Sequence, residues 1–316
     1  MLDERKSGPS NLPREASLKA AESIRLSSFE LKVGDIAGVE LEKLHALSIS
    51  VGWPHRAEDW QMLLEAGEGI AAQDEIGRVV GTAMWFPFGA GFATVGMMIT
   101  SPRLQAHGAG RWIMNNVLAR IGTRSLGLNA TRAARRLYLS LGFAPARLVY
   151  QCQGEALMPA IALLPEGAIL RNVEHSDLAR LVELDSSAYG ADRSALLARL
   201  LDVSKGVALL REGRIRAFAL CRPFGRGHVV GPVVAETDDD AIAVTAPHIA
   251  EHAGQFLRLD TRQETGPFPE FVARSGLPVY DTVTSMWLGQ PWAVAGGQDA
   301  GKPPVVTYAL ASQAFG

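Results

Sequence analysis

Residues 96–121 read GMMITSPRLQAHGAGRWIMNNVLARI. An apolar run ends at Ser101-Pro102, the loop QAHGAG follows at 105–110, and apolar residues then recur at helical spacing as far as Ile121. Strand, glycine loop and helix thus succeed one another without a spacer. Gly108 and Gly110 let main-chain N–H groups approach a ligand that any Cβ would obstruct. The first-turn N–H groups of the helix have no intrahelical partner and sit at its positive dipole end, so together they form an anion site. The plainer alternative for such a loop is a strand-to-helix turn with no ligand.

Further along, the chain repeats itself. GRVVGTAMWFPFG at 77–89 aligns without a gap with GRIRAFALCRPFG at 213–225. Each opens on a Gly-Arg turn and runs through apolar residues to Pro-Phe-Gly, which reads as a strand bounded by turns. GDIAGVELEKLHAL at 34–47 is echoed by HSDLARLVELDSSA at 175–188, and LYLSLGFAP at 137–145 by FVARSGLPV at 271–279. An offset this long is a duplicated domain, since solenoid repeats recur every 20–50 residues. The first half reads strand 29–33, helices 35–49 and 57–66, strands 69–73, 78–86 and 92–100, helix 109–121, strand 125–130, helix 131–141 and closing strands over 143–153. The second half repeats this order from Ala168 to Gln290, and mixed elements of this kind build a layered α/β or α+β domain. The expected organisation is a flexible leader over 1–27, domains over 28–156 and 168–290, a linker over 157–167 and a tail over 291–316. The tail stretch VVTYALASQAF at 305–315 is apolar after a Gly/Pro-rich turn, so it is expected to dock on the body.

Composition narrows the function classes. The 316 residues are 47% hydrophobic and 20% charged, with a net charge of −2, which argues against a basic nucleic-acid face. No apolar run approaches the ~18–20 residues of a membrane span, and the charged N-terminal stretch lacks the apolar core of a secretory signal. A cytoplasmic location is expected. Cys152 and Cys221 lie far apart without metal-ligand spacing, so they read as buried thiols and no metal is expected.

The loop QAHGAG fits the pattern Gln/Arg-x-x-Gly-x-Gly/Ala that follows the fourth strand in the GCN5-related N-acetyltransferases, and LYLSLGF at 137–143 resembles a later helix of that family. GWPHRAEDW at 52–60, LNAT at 128–131 and the C-terminal YALASQAFG are similar to a tandem subfamily of it. The resemblance implies an α+β fold of two tandem domains, each with a mixed, mostly antiparallel sheet flanked by helices. It implies acetyl-CoA as cosubstrate. Backbone groups of Met98, Ile99 and Thr100 would bond the pantetheine arm, and the N–H groups of Gln105, Ala106, His107, Gly108, Ala109, Gly110 and Arg111 the pyrophosphate. Asn129 and Thr131 would flank the cofactor, Thr131 standing where an asparagine is frequent. Tyr138 matches the tyrosine that protonates the departing thiolate, and hydroxyl assistance of that kind contributes ~10²–10⁴-fold.

The departures from the pattern matter equally. Strands 78–101 contain no Asp or Glu, so the family's usual carboxylate base is missing there. His55 is the substitute, directly or through water, because imidazole titrates near working pH; the other reading of His55 is a polar contact inside its loop. Trp53 and Trp85 are expected to flank the acceptor side and line a pocket for an apolar or cationic amine; core packing is the alternative. In the second half ETDDD at 236–240 replaces the glycine loop and Val272 stands where Tyr138 stands, so that half is expected to be non-catalytic. The expected activity is acetyl transfer from acetyl-CoA to a small-molecule amine, by a monomer with internal pseudo-dimer symmetry or by a homodimer. The rivals are a protein or peptide N-acetyltransferase, favoured by an open groove, and a non-catalytic acyl-CoA-binding sensor.

Overall fold

A computed structural model describes residues 22–26, 29–105, 107–160, 164, 166–290 and 304–316. The first half contains β1 (Ser23–Leu26), β2 (Phe29–Asp35), α1 (Leu41–Ser50), α2 (Ala57–Ala66), β3 (Glu68–Gln73), β4 (Val79–Phe88), β5 (Phe92–Thr100), α3 (Ala109–Ile121), β6 (Ser125–Ala130), α4 (Arg135–Ser140) and β7 (Ala144–Glu155). The second contains β8 (Ala168–Asn172), α5 (Leu178–Tyr189), α6 (Ser194–Val203), β9 (Lys205–Arg211), β10 (Arg214–Phe224), β11 (Gly227–Ala235), α7 (Asp238–Glu251), β12 (Phe256–Thr261), α8 (Pro267–Arg274) and β13 (Val279–Leu288), with β14 (Val306–Ala309) in the tail.

The two halves follow the same order, as the repeat predicts, with local differences. The helix expected from residue 35 begins instead at Leu41: Asp35 caps Ala37 N at 2.9 Å, making a short 3-10 turn over Ile36–Gly38. The helix expected from 131 begins at Arg135, because the Thr131 hydroxyl accepts from Ala134 N at 3.3 Å and holds the preceding turn. Of the leader expected over 1–27, residues 22–26 are described, and Ser23–Leu26 form a strand paired antiparallel with β2. The rest of the leader, Ala106, linker residues 161–163 and 165 and tail residues 291–303 lie outside the described residues.

The larger correction concerns how each half closes. Two closing strands are expected within 143–153, but that stretch is one strand, β7. The sheet runs β1-β2-β3-β4-β5-β6-β13-β7-β12-β11-β10-β9-β8. Thus β13 of the second half lies beside β6 of the first, with Thr284–Leu288 opposite Leu126–Ala130. In exchange β7 lies beside β12, with Tyr150–Glu155 opposite Phe256–Thr261. Each half lends its last strand to the other, and the two lent strands pair at the centre.

Packing follows from this exchange. On one side of the sheet, Leu44, Trp60 and Leu63 of α1 and α2 share a single core with Leu184, Leu197 and Leu200 of α5 and α6. The other side has two separate cores. One lies under α3, around Trp112, Ile113 and Val117; the other lies under α7 and α8, around Val244, Ile249 and Phe268. Because the shared core removes apolar surface from both halves at once, neither half would bury its own face alone.

Candidate active site between the halves

The glycine loop leads straight into α3, whose N-cap is Gly108 at φ 87°, a left-handed conformation that glycine adopts without strain. Among the described residues no side chain caps this helix end, and the space where a Gly108 Cβ would stand is open. The first-turn N–H groups are therefore left for a ligand. Around them, Gln105 Nε2 donates to Thr100 O at 3.1 Å, the His107 ring lies 2.8 Å from Gln105 O, and Arg111 Nη2 donates to Ser140 Oγ on α4 at 2.6 Å. These contacts tie the loop to β5 and to α4.

Next to the loop the sheet opens. β5 and β6 pair in parallel only from Phe92↔Ser125 to Val95↔Leu128. Beyond that point Met97 adopts φ 50°, rare for a residue with a Cβ, and the β4–β5 register slips so that two residues oppose one. The buried Thr82 hydroxyl holds this bulge by donating to Met97 O at 2.8 Å. The bulge turns Met98, Ile99 and Thr100 away from β6 and leaves their main-chain edge on that side without a strand partner.

The second half has the same opening, and the chain fills it. β11 and β12 pair only at His228↔Leu257 and Val229↔Arg258. Past that, β14 runs antiparallel to β11 at Val233–Ala235, Leu310 N donates to Asp260 O at 2.8 Å, and Thr261 Oγ1 donates to Tyr308 O at 2.6 Å. The tail comes so close to β11 that any Cβ on Gly231 would collide with the Leu310 carbonyl. The acidic stretch that replaces the glycine loop is also satisfied internally. Thr237 Oγ1 caps Asp240 N at 3.2 Å, Asp240 pairs with Arg211, and Asp238 accepts from Phe268 N at 3.0 Å.

From the filled opening the tail crosses into the first half. Asn129 Nδ2 donates to Gln313 O at 2.8 Å, and Ala314 lies over Gly96, where an added Cβ would come within 2.7 Å of it. Phe315 meets Phe86 edge-on at 4.7 Å. Tail, α2 and second half together enclose a cavity of about 310 Å³. Trp53, His55, Asp59, Met97, Met98, Asn129, Thr131 and Tyr138 line it from the first half, and Arg222, Phe224, Arg226, Arg258 and Asp281 from the second. A wider groove of about 610 Å³ lies beside α1 and the β3–β4 turn, but its Asp74 and Arg78 are paired with each other. The cavity between the halves, in contrast, contains polar groups that lack partners.

His55 is one of these. Burial pushes its imidazole down to about 4, so the ring is neutral at pH 7, and its buried Nδ1 has no hydrogen-bond partner among the described residues. Its ring packs edge-on against Phe224 at 5.2 Å. Tyr138 is buried against Phe143, and burial raises its phenol above the ordinary tyrosine range, so it stays protonated. Asp59 is pushed up by burial, but hydrogen bonds from Arg56 and from Gly225 N (2.9 Å) outweigh this and hold its carboxyl below the usual range. That carboxylate therefore ties α2 to the second half's Pro-Phe-Gly turn. Burial pushes the Cys152 and Cys221 thiols up to about 12, so neither is a nucleophile at neutral pH.

Two expectations change. Trp85 does not reach the cavity: side chains alternate along β4, so Phe86 faces the tail while Trp85 packs on the opposite face with Trp112 and Ile113. Asn129 lines the cavity, but its amide is tied to the protein, donating to Gln313 O and accepting from Ser285 Oγ at 2.6 Å. The second half's arginines were not singled out in the sequence. One signal was available: Arg222 aligns with Phe86 in the Pro-Phe-Gly repeat. Among the described residues no group of His, Cys, Asp or Glu is placed to hold a metal, and no helix is long and apolar enough to cross a membrane.

The fold is two-halved, with one open and one filled sheet gap. Two family models, both described as acetyltransferase (GNAT) domain, match residues 65–145 and 181–295. Between them they span more than half of the chain, which belongs to the GNAT family of acyltransferases as a tandem member. The uncharacterized N-acetyltransferase YitH of Bacillus subtilis (strain 168) is 25% identical over 289 residues, covering 88% of this chain and 98% of YitH. A crystal structure from Pyrococcus horikoshii superposes with a TM-score of 0.71 at 18% identity, covering 90% of this chain and 96% of that one. A tandem GNAT protein from the clavulanic acid biosynthesis pathway does so with a TM-score of 0.60 at 16% identity, covering 82% and 98%. These two likenesses are likenesses of fold.

Proposed function

We propose that the first half transfers an acetyl group from acetyl-CoA to the amine of a small molecule held in the cavity between the halves. The observation that supports this most is the pair of sheet openings: among the described residues no strand fills the one beside the glycine loop, and the other is filled by β14. The residues present suit acetyl-CoA. The uncapped first turn of α3 offers N–H groups to a pyrophosphate, and the unpaired edge of Met98–Thr100 offers main-chain groups to the amide-bearing pantetheine arm. Bound there, acetyl-CoA supplies an activated acetyl thioester. Tyr138 then holds a proton for the departing sulfur, and its high pKa keeps that proton in place until negative charge develops.

His55 lines the cavity as a neutral imidazole. With a pKa near 4 it orients the amine better than it deprotonates it, so the acceptor is used as the free amine or loses its proton through water. A cavity walled by the second half and the tail favours a small acceptor over a protein lysine. The test is a thiol-release screen of acetyl-CoA against small amines and against unstructured peptides. Turnover with small amines only is expected; turnover confined to peptides, or thiol release with neither, overturns the reading.

A further inference from the structure

Arg222 sits at a position the fold can fill with an apolar ring. Its repeat partner, Phe86, is 1% exposed and packs on Phe315. Arg222 is 3% exposed, and its neighbours along β10, Phe218 and Leu220, are apolar and fully buried. A guanidinium in such a place is costly unless acceptors surround it.

They do not. Nη2 donates to Ala311 O at 3.0 Å, whereas Nε and Nη1 are buried and have no hydrogen-bond partner among the described residues. The two nearby carboxylates are already engaged: Asp59 by Arg56 and Gly225 N, and Asp260 by Arg258 and Gln313. Desolvation by burial lowers the Arg222 pKa to about 10, which still leaves it charged at neutral pH. Its guanidinium carbon lies 5.7 Å from the Phe224 ring centroid and that of Arg258 5.6 Å, so two cations flank one ring at the cavity wall. Arg226 adds a third; Asp59 and Asp281 are the acidic side chains lining the same space.

We propose that the acceptor is an amine that also bears a carboxylate, and that Arg222 holds this carboxylate while the amine faces Tyr138 and the open sheet gap. The proposal rests on the cavity being the acceptor's site. A carboxylate in the cavity supplies the counter-charge that Asp59 and Asp260, engaged elsewhere, do not give to Arg222, and charge-assisted hydrogen bonds to guanidinium are the strong ones. Trp53, Met62 and Leu63 line the same cavity and suit the carbon skeleton between the two polar ends. The predicted acceptors are thus amino acids, α or ω.

The product offers a test that does not need turnover. Calorimetry compares N-acetyl α- and ω-amino acids with the matching N-acetylated amines that lack the carboxylate. In the wild type the carboxylates should bind ~30-fold or more tightly, and in Arg222→Met that preference should fall toward unity. Arg222→Met should melt no lower than wild type, because it removes a poorly compensated buried charge. Equal binding of both classes by the wild type, or a preference that survives in Arg222→Met, overturns the assignment. Should the variant not fold, the wild-type comparison decides alone. Carboxylate preference in a protein that acetylates no amine would keep the anion site and remove the proposed transfer; acetylation of amines without that preference would do the reverse.

Discussion

Asn129 on β6 and Gln313 in the tail are joined by a 2.8 Å hydrogen bond from a side-chain amide to a main-chain carbonyl across 184 positions of sequence. The bond stands where β5 and β6 part, at the edge of the proposed acceptor cavity. Tail residues therefore serve two roles. Val306–Ala309 complete the second half's sheet, and Gln313–Phe315 form part of the first half's site.

The tail's anchoring can be measured at Phe315. Its ring is 1% exposed against Phe86, its carbonyl accepts from Tyr189 Oη at 2.8 Å, and Arg193 Nη1 donates to Gly316 O at 2.8 Å. Phe315→Ala leaves a cavity in the core shared by both halves and should cost about 3–5 kcal/mol. Urea unfolding checks this. A loss under 1 kcal/mol would mean that the tail rests on the body without supporting it.

Acetyl-CoA should bind once per chain. In the second half β14 occupies the sheet opening and three aspartates occupy the first turn of α7. Calorimetry should therefore give a stoichiometry of one, and Gly108→Val should abolish binding, since valine does not tolerate φ 87° at the N-cap. Two equivalents per chain would show that the tail vacates its gap.

Acid should destabilise the fold through His248. Burial lowers its pKa from 6.5 to about 4, and its Nε2 lies 3.2 Å from Ala219 O. Between pH 6.5 and about 4 the unfolded chain binds a proton that the folded chain refuses, so stability falls as pH falls through that window. From pH 7 to pH 5 the loss from this one group is about 2 kcal/mol. Unfolding measured at both pH values in wild type and His248→Gln should show a shallower dependence in the variant. Parallel slopes would show that His248 takes up its proton without unfolding.

What was legible in the sequence was local or repeated. The loop at 105–110 declares itself because glycine spacing and helical period meet there, and the repeat of Pro-Phe-Gly displays the duplication. The strand exchange was not legible. β7 and β13 are both long strands of mixed polar and apolar residues, and nothing local decides which of β6 and β12 each one joins. Period two puts Trp85 and Phe86 on opposite faces, but only the packed helices show which face holds the cavity. Arg222 was visible as a mismatch with Phe86, yet its meaning needed its burial and its missing partners.

Tyr138 gives the sharpest test of the chemistry. It reaches the cavity from α4, packs edge-on against Phe143 at 5.7 Å, and no hydrogen bond to its hydroxyl is found among the described residues. Tyr138→Phe keeps the ring and removes no internal bond, so stability and acetyl-CoA affinity should hardly change. In the proposed transfer the hydroxyl acts only as the carbon–sulfur bond breaks, so the loss should fall on kcat, by ~10²-fold or more, with little change in KM. Steady-state rates hide this effect if product release is slow, which makes single-turnover measurement with an identified acceptor the deciding experiment. A thiol's ordinary pKa lies well below that of this buried phenol, so the hydroxyl assists mainly by hydrogen-bonding the thiolate as its charge develops. The wild-type rate should then depend on the leaving group: an acyl donor whose thiol is more acidic than that of CoA needs less assistance, and the Tyr138→Phe defect should shrink with it. A variant that matches wild type in single turnover, with either donor, would make Tyr138 a packing residue and transfer the proton to another group.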